Sequence, residues 1–314
     1  MKKLVRAVEP YRHPHGINFK TKAFEAWVKA GGQVAESHYP PRWAHHFAYR
    51  YELPTIWKNK KEARLRFVEP VSISFDTFPD YSHYEIIPFI WDCWPKYFEK
   101  VCAWFVKHDV KTAFFTSSQT ADRMRNRFPK MNIYYVPEGV DSSLYSEGKA
   151  LTERTIDILE FGRANKQVYD VQLPETVNHL HSRDGKHLFE SDEEFRSALA
   201  DTKICITFPR CDTQPEIAGD IETLTQRYWE CMLSRCIMVG RAPKELTDLM
   251  GYDPVVQLEK GREKTQIMDI LSNIGAYQSL VDKNWDVAIN LSDWTKRMNY
   301  VQDCLQELKK YNIL

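Results

Sequence analysis

Short apolar runs rich in β-branched and aromatic residues alternate with stretches of helical periodicity between residues 71 and 240. The runs at 71–75 (VSISF), 86–91, 112–118, 133–141, 156–163, 203–209 and 236–240 read as strands. The stretches at 95–108, 118–128, 191–202, 223–235 and 293–311 read as helices. Ser118 or Thr120 is a candidate cap for the second of these helices. Ser191, with Glu194 three residues on, forms a capping-box pattern for the third. Strands that alternate with helices in both halves predict an α/β protein with parallel sheets.

A length of 314 residues suggests two domains or one large one. The formal charge is zero, but its parts are unequal. Residues 1–150 hold 23 Lys+Arg against 16 Asp+Glu, and residues 151–314 hold 20 against 27. Of the 41 aromatic residues, 28 also precede residue 151. The least strand-like stretch, 142–155, sets the expected boundary, with one domain over 1–145 and a second over 146–292. A neutral total argues against a nucleic-acid partner bound by bulk attraction. No run approaches the ~18 apolar residues of a membrane span, and the basic N-terminus lacks an apolar region behind it. Seven cysteines without a CxxC pair read as reduced thiols, so the expected location is cytoplasmic.

Glu222 and Glu230 are separated by seven residues at the start of a helical stretch. On a continuous helix their carboxylates share one face about 12 Å apart, at ~1.5 Å per residue. That spacing is too wide for a shared-proton dyad. It suits two hydroxyl-bearing parts of one extended ligand, although two glutamates eight apart are also a common coincidence. A polar loop, 209–222, leads into this helix from a buried strand, and ligands of α/β sheets bind outside the carboxyl ends of strands. His13/His15 and His45/His46 lack metal-ligand spacing, and His179, His181 and His187 flank a turn-like SRDG. A GxSxG elbow, a P-loop, a GxGxxG and an Asp-x-Asp are all missing.

With Glu222 and Glu230 in that context, the chain resembles the retaining glycosyltransferases of the large group-1 family, whose signature is a Glu-x7-Glu motif. The likeness is clear over about 156–256 and includes the helix-strand passage 231–256. It implies the GT-B fold: two Rossmann-like domains facing across a cleft, with helix 293–314 crossing back onto the first. It further implies metal-independent, retaining transfer of a sugar from a nucleotide-diphosphate sugar, with no cofactor. IDILEFGR resembles the family's strand whose arginine and lysine hold the donor phosphates, here Arg163 and Lys166. By the same resemblance Glu230 would hold the ribose and Glu222 the sugar hydroxyls, with Glu216 and Gly219 adding contacts. VPEGVD resembles a turn in which Glu138 replaces the usual Asn, and it reads as structural.

In the first domain, Trp91 stands where the family often has a sugar-contacting histidine, followed by Asp92, a candidate for orienting a hydroxyl. His15 and Gly16 lie where the family has a glycine-rich loop under the donor. The implied acceptor is a glycan or a lipid-linked glycan of surface polysaccharide synthesis. Tyr39, Trp43, Phe47, Tyr49, Tyr51 and Trp57, with Lys58, Lys60, Lys61, Arg64 and Arg66, form an aromatic and basic stretch. It suits an acidic acceptor or an anionic membrane surface, and hence a peripheral location at the inner face. A GT-B sugar-nucleotide epimerase and a non-catalytic binder of sugar nucleotides or glycans are the alternatives.

Overall fold

The computed structural model describes residues 3–11, 19–36, 41–51, 59, 61–162, 169–182 and 188–311, without the side chains of Arg42, His45, Ala48 and Tyr49. The chain divides into two compact units, 1–137 with 294–314, and 138–293. The division thus falls between Pro137 and Glu138 and not after residue 145. Residues 142–155, expected to hold the domain boundary, lie inside the second unit and include two short 3-10 turns, Ser142–Leu144 and Leu151–Glu153. Counted by unit, Lys+Arg against Asp+Glu is 26 to 15 in the first and 17 to 28 in the second, or +11 and −11.

The first unit holds a parallel sheet ordered β1 (Leu4–Ala7), β2 (Glu62–Val68), β3 (Glu85–Ile90), β4 (Thr112–Phe115) and β5 (Asn132–Tyr135). Helices α1 (Phe19–Lys29) and α2 (Arg42–Tyr51) follow β1, and α3 (Ile73–Thr77) and α4 (Asp80–His83) follow β2. Next come α5 (Pro95–His108), over its expected residues, and α6 (Ser118–Arg127). The cap of α6 is Ser117, whose side chain accepts from Thr120 N, and neither Ser118 nor Thr120 itself. An isolated bridge joins Ala7 to Val34 on the far side of β1. The chain therefore leaves β1 on one side and returns to β2 on the other, which makes β1 a topological switch point.

Alternate residues of β3 feed two cores. Ile87 and Phe89 pack with Trp91, Phe67 and Trp294, whereas Ile86 and Ile90 pack with Val68, Val101, Phe105 and Phe115. The first of these cores also takes Met298, Val301 and Leu305 from the C-terminal helix Trp294–Lys310, the last element of the chain, which packs on α1.

Two further expectations fail in this unit. VSISF is not a strand, since Ile73–Thr77 forms α3. Its period-two apolar pattern loses to a local helix: Ile73 and Thr77, four apart, face inward, and Ser72 Oγ donates to Asp76 Oδ2 at 2.7 Å. The strand is instead Glu62–Val68, which buries Arg64 and Arg66. Arg66 reaches Asp80 at 3.0 Å and the Asp76 carbonyl, while Arg64 pairs with Glu62 and lies 4.0 Å from the Tyr84 ring centroid. These two arginines belong to the interior and not to a solvated basic face. Trp43, Phe47 and Tyr51 are exposed on α2, while Tyr39, Trp57, Lys58 and Lys60 lie outside the described residues.

The second sheet is also parallel, running β6 (Ile156–Glu160) to β7 (His179–His181) on one side and β8 (Thr202–Thr207), β9 (Ile237–Gly240) and β10 (Val256–Gln257) on the other. Between these strands lie α7 (Asp192–Ala200), α8 (Arg210–Thr213), α9 (Pro215–Ala218), α10 (Gln226–Leu233) and α11 (Lys244–Met250). The unit ends in α12 (Glu263–Ser272) and α13 (Gln278–Leu291), and the C-terminal helix of the first unit is α14. The cap of α7 is the expected Ser191, which accepts from Glu194 N at 3.1 Å. Cys205 of β8 faces the core of α10, and Ile204 and Ile206 face that of α12 and α13. Strand order reverses at β6, the second switch point. All seven cysteines are free. Among the described residues no helix is long and apolar enough to cross a membrane.

Candidate functional site

The carboxyl ends of β8 and β9 bring Asp212, Glu222 and Arg241 together. Gly240 ends β9 at φ 143°, and a Cβ there would clash with the Thr207 carbonyl. Glycine lets the two strand ends close, so that Arg241 N donates to Thr207 O at 2.9 Å. The Arg241 guanidinium then reaches the loop after β8. It donates to Asp212 at 2.6 and 2.7 Å and to Glu222 Oε1 at 2.8 Å. The two carboxylates hold Arg241 firmly protonated, pushing its titration above its ordinary value. The second oxygen of Glu222 accepts from Lys244 N at 2.9 Å, at the start of α11. Tyr228 Oη donates to the Arg241 carbonyl at 2.8 Å, which ties α10 to the same corner.

Glu222 does not lie on a helix. Thr225, at φ −108° and ψ 162°, is extended, and α10 begins only at Gln226. The 12 Å helical separation expected for Glu222 and Glu230 therefore does not apply, because Thr223–Thr225 carries Glu222 off the helix. The two glutamates have separate partners: Arg241 and Lys244 N hold Glu222, while Glu230 accepts from Tyr145 Oη at 2.9 Å. Burial pushes the Glu230 carboxyl up, opposed by the Tyr145 hydrogen bond and by the charge of Arg227.

Thr225 makes no side-chain cap for α10. Glu138 supplies it from the end of the VPEG turn, accepting from Gln226 N at 3.2 Å. Its carbonyl also accepts from Trp229 Nε1 at 2.8 Å. Glu138 is buried, and its carboxylate answers the partial positive charge of the helix start.

Glu216 is exposed on α9, and Gly219 closes that turn at φ 56°, ψ −124°, a conformation that suits glycine. Asp92 lies in the first unit, left-handed at φ 50°, between β3 and α5. Its neighbour Trp91, where the sequence resemblance leads one to expect a histidine, is 1% exposed, with ring centroids 4.6 Å from Phe89 and 5.8 Å from Trp294. Arg163, Lys166, His15 and Gly16 lie outside the described residues. His179 Nε2 lies 3.6 Å from Glu160 on the neighbouring strand, and no group of three His, Cys, Asp or Glu among the described residues could hold a metal.

Sequence reasoning did not find Arg241, Arg227 or Tyr145. The signal for Arg241 was present, in a glycine followed by arginine after the apolar run CIMV. Nothing in sequence spacing links Tyr145 to Glu230, 85 residues on.

No protein-family model matches the chain, and no curated protein matches it. Solved structures do. Sucrose-phosphate synthase from Thermosynechococcus elongatus matches at a TM-score of 0.59 and 10% identity, over 98% of this chain and 99% of that one. AviGT4, a glycosyltransferase involved in avilamycin A biosynthesis, matches at 0.56 and 13%, over 99% and 98%. Anabaena HepE in complex with UDP and glucose matches at 0.50 and 11%, over 98% and 100%. Two parallel-sheet α/β units of this kind make up the GT-B glycosyltransferase fold, and the chain has that fold.

Proposed function

We propose that the chain is a glycosyltransferase that takes a sugar from a nucleotide-diphosphate sugar bound by its second unit. The observation that carries this reading is the Glu222–Arg241–Asp212 network at the strand ends of a GT-B second unit, which holds the first glutamate of a Glu-x7-Glu spacing. In this reading the fixed Glu222 carboxylate accepts sugar hydroxyls and Glu230 the ribose. Arg163, with Lys166, offsets charge on the departing nucleoside diphosphate, the electrostatic contribution that usually dominates such chemistry. Glu216 and Gly219 add donor contacts, and Gly16 and Asp92 serve the sugar and acceptor from the first unit.

Transfer proceeds with retention and without a metal, the leaving phosphate helping to deprotonate the acceptor. The acceptor is a glycan or lipid-linked glycan of surface polysaccharide synthesis, met at the cytoplasmic face of an anionic membrane. The basic balance of the first unit supports that last element, although Arg64 and Arg66 do not contribute to it. A thermal-shift screen against UDP-, GDP-, ADP- and dTDP-sugars identifies the donor class. Transfer assays on Glu222→Gln and Arg163→Ala with that donor follow, and full activity in both would refute the site.

A further inference from the structure

The second unit presents a problem for any phosphate ligand. It carries 17 basic residues against 28 acidic ones, so its overall field repels a pyrophosphate. The start of α10 offers little relief, because its first N–H is taken by the Glu138 carboxylate. Local cations must supply the attraction.

Arg227 is placed to do so. It is the second residue of α10, in the first turn, where the helix dipole disfavours a positive charge. Such a placement costs stability unless an anion compensates. Among the described residues no carboxylate lies within ion-pair distance of its guanidinium. Arg227 lies over the Phe161 ring, 5.2 Å from the centroid, and against Gly162. Gly162 has φ 78°, and a Cβ there would clash with Arg227 Nη2, so the glycine keeps room for the guanidinium. Phe161 and Gly162 directly follow β6, the strand at which order reverses and beside which α/β sheets bind ligands. Glu230, one turn along α10, feels the charge of Arg227, which opposes the upward push of burial on its carboxyl.

We infer that Arg227 is a diphosphate-binding residue of the second unit, its guanidinium donating to the pyrophosphate oxygens of a nucleoside diphosphate. This rests on the donor reading above and adds to it a side chain that the Glu-x7-Glu resemblance does not supply. Phe161 holds the guanidinium plane, and Gly162 admits it to the crevice.

The test is calorimetry on the full chain with UDP, GDP, ADP and dTDP, and with the nucleoside matching whichever diphosphate binds most tightly. Arg227→Gln should weaken that diphosphate about tenfold or more, as expected for loss of a charge-assisted pair. It should leave nucleoside affinity unchanged and flatten the salt dependence of diphosphate binding. Arg227→Lys should retain part of the affinity as a point charge. Equal losses for diphosphate and nucleoside, or no loss for either, would overturn the role of Arg227 while leaving the donor reading intact. Failure of the wild-type chain to bind any of the four diphosphates would overturn the donor reading, and this inference with it. Circular dichroism and thermal melts of both variants check that they fold.

Discussion

Replacing Arg241 with methionine keeps an apolar stem and removes the charged head. Three N–H···O bonds go with it, two to Asp212 at 2.6 and 2.7 Å and one to Glu222 at 2.8 Å. Bonds to charged partners contribute about 1.5–3 kcal/mol each when water is excluded. The side chains here are 31%, 28% and 29% exposed, so the freed carboxylates regain hydration and the net loss is about 2–4 kcal/mol. Urea denaturation of the full chain should place this loss in the transition of the second unit. A double-mutant cycle with Glu222→Gln isolates the pair and should give a coupling of about 1 kcal/mol. Additivity of the two substitutions within about 0.3 kcal/mol would refute the claim that Arg241 holds Glu222.

Glu230, whose carboxyl is pushed up by burial, takes up its proton more readily folded than unfolded. Its contribution to stability is therefore present at low pH and lost as pH rises through its folded titration. Glu230→Gln should thus be more stable than wild type near pH 7, with the difference closing below the usual carboxylate range; melts from about pH 3 to pH 8 measure it. Trp91→His should destabilise the first unit by about 3 kcal/mol, because it empties an aromatic core. Thermal unfolding within 0.5 kcal/mol of wild type would show that Trp91 is not part of that core. Arg66→Leu strands the carboxylate of Asp80 and should cost about 3 kcal/mol in urea, whereas Lys61→Ala, at an exposed site, should cost under about 0.5.

Elements governed by local periodicity were legible in the sequence. Pro95–His108 was readable because its apolar stripe and N-terminal proline agree, and Ser191 because a cap acts within four residues. The period-two pattern of VSISF misleads because its last three residues begin a helical turn, Ile73–Thr77, whose buried positions are Ile73 and Thr77. Arg64 and Arg66 hid a central strand, since a charge signals solvent until its buried partner is known, and Asp80 lies 14 residues past Arg66. The candidate site was half legible. Glu222 and Glu230 were visible as a spacing, but their relation was drawn on a helix that starts only at Gln226. Arg241 meets Asp212 and Glu222 across 29 and 19 residues, through strand ends brought together by Gly240, which no local pattern encodes.

Retaining cleavage of a nucleotide-diphosphate sugar by this chain can be followed by time-resolved proton NMR of the protein with each of the four sugar nucleotides. One donor should lose its anomeric signal as free nucleoside diphosphate appears. The first sugar released to water should carry the donor's own anomeric configuration. An isomerised sugar still attached to its nucleotide, release with inversion, or four unchanged donors would contradict it.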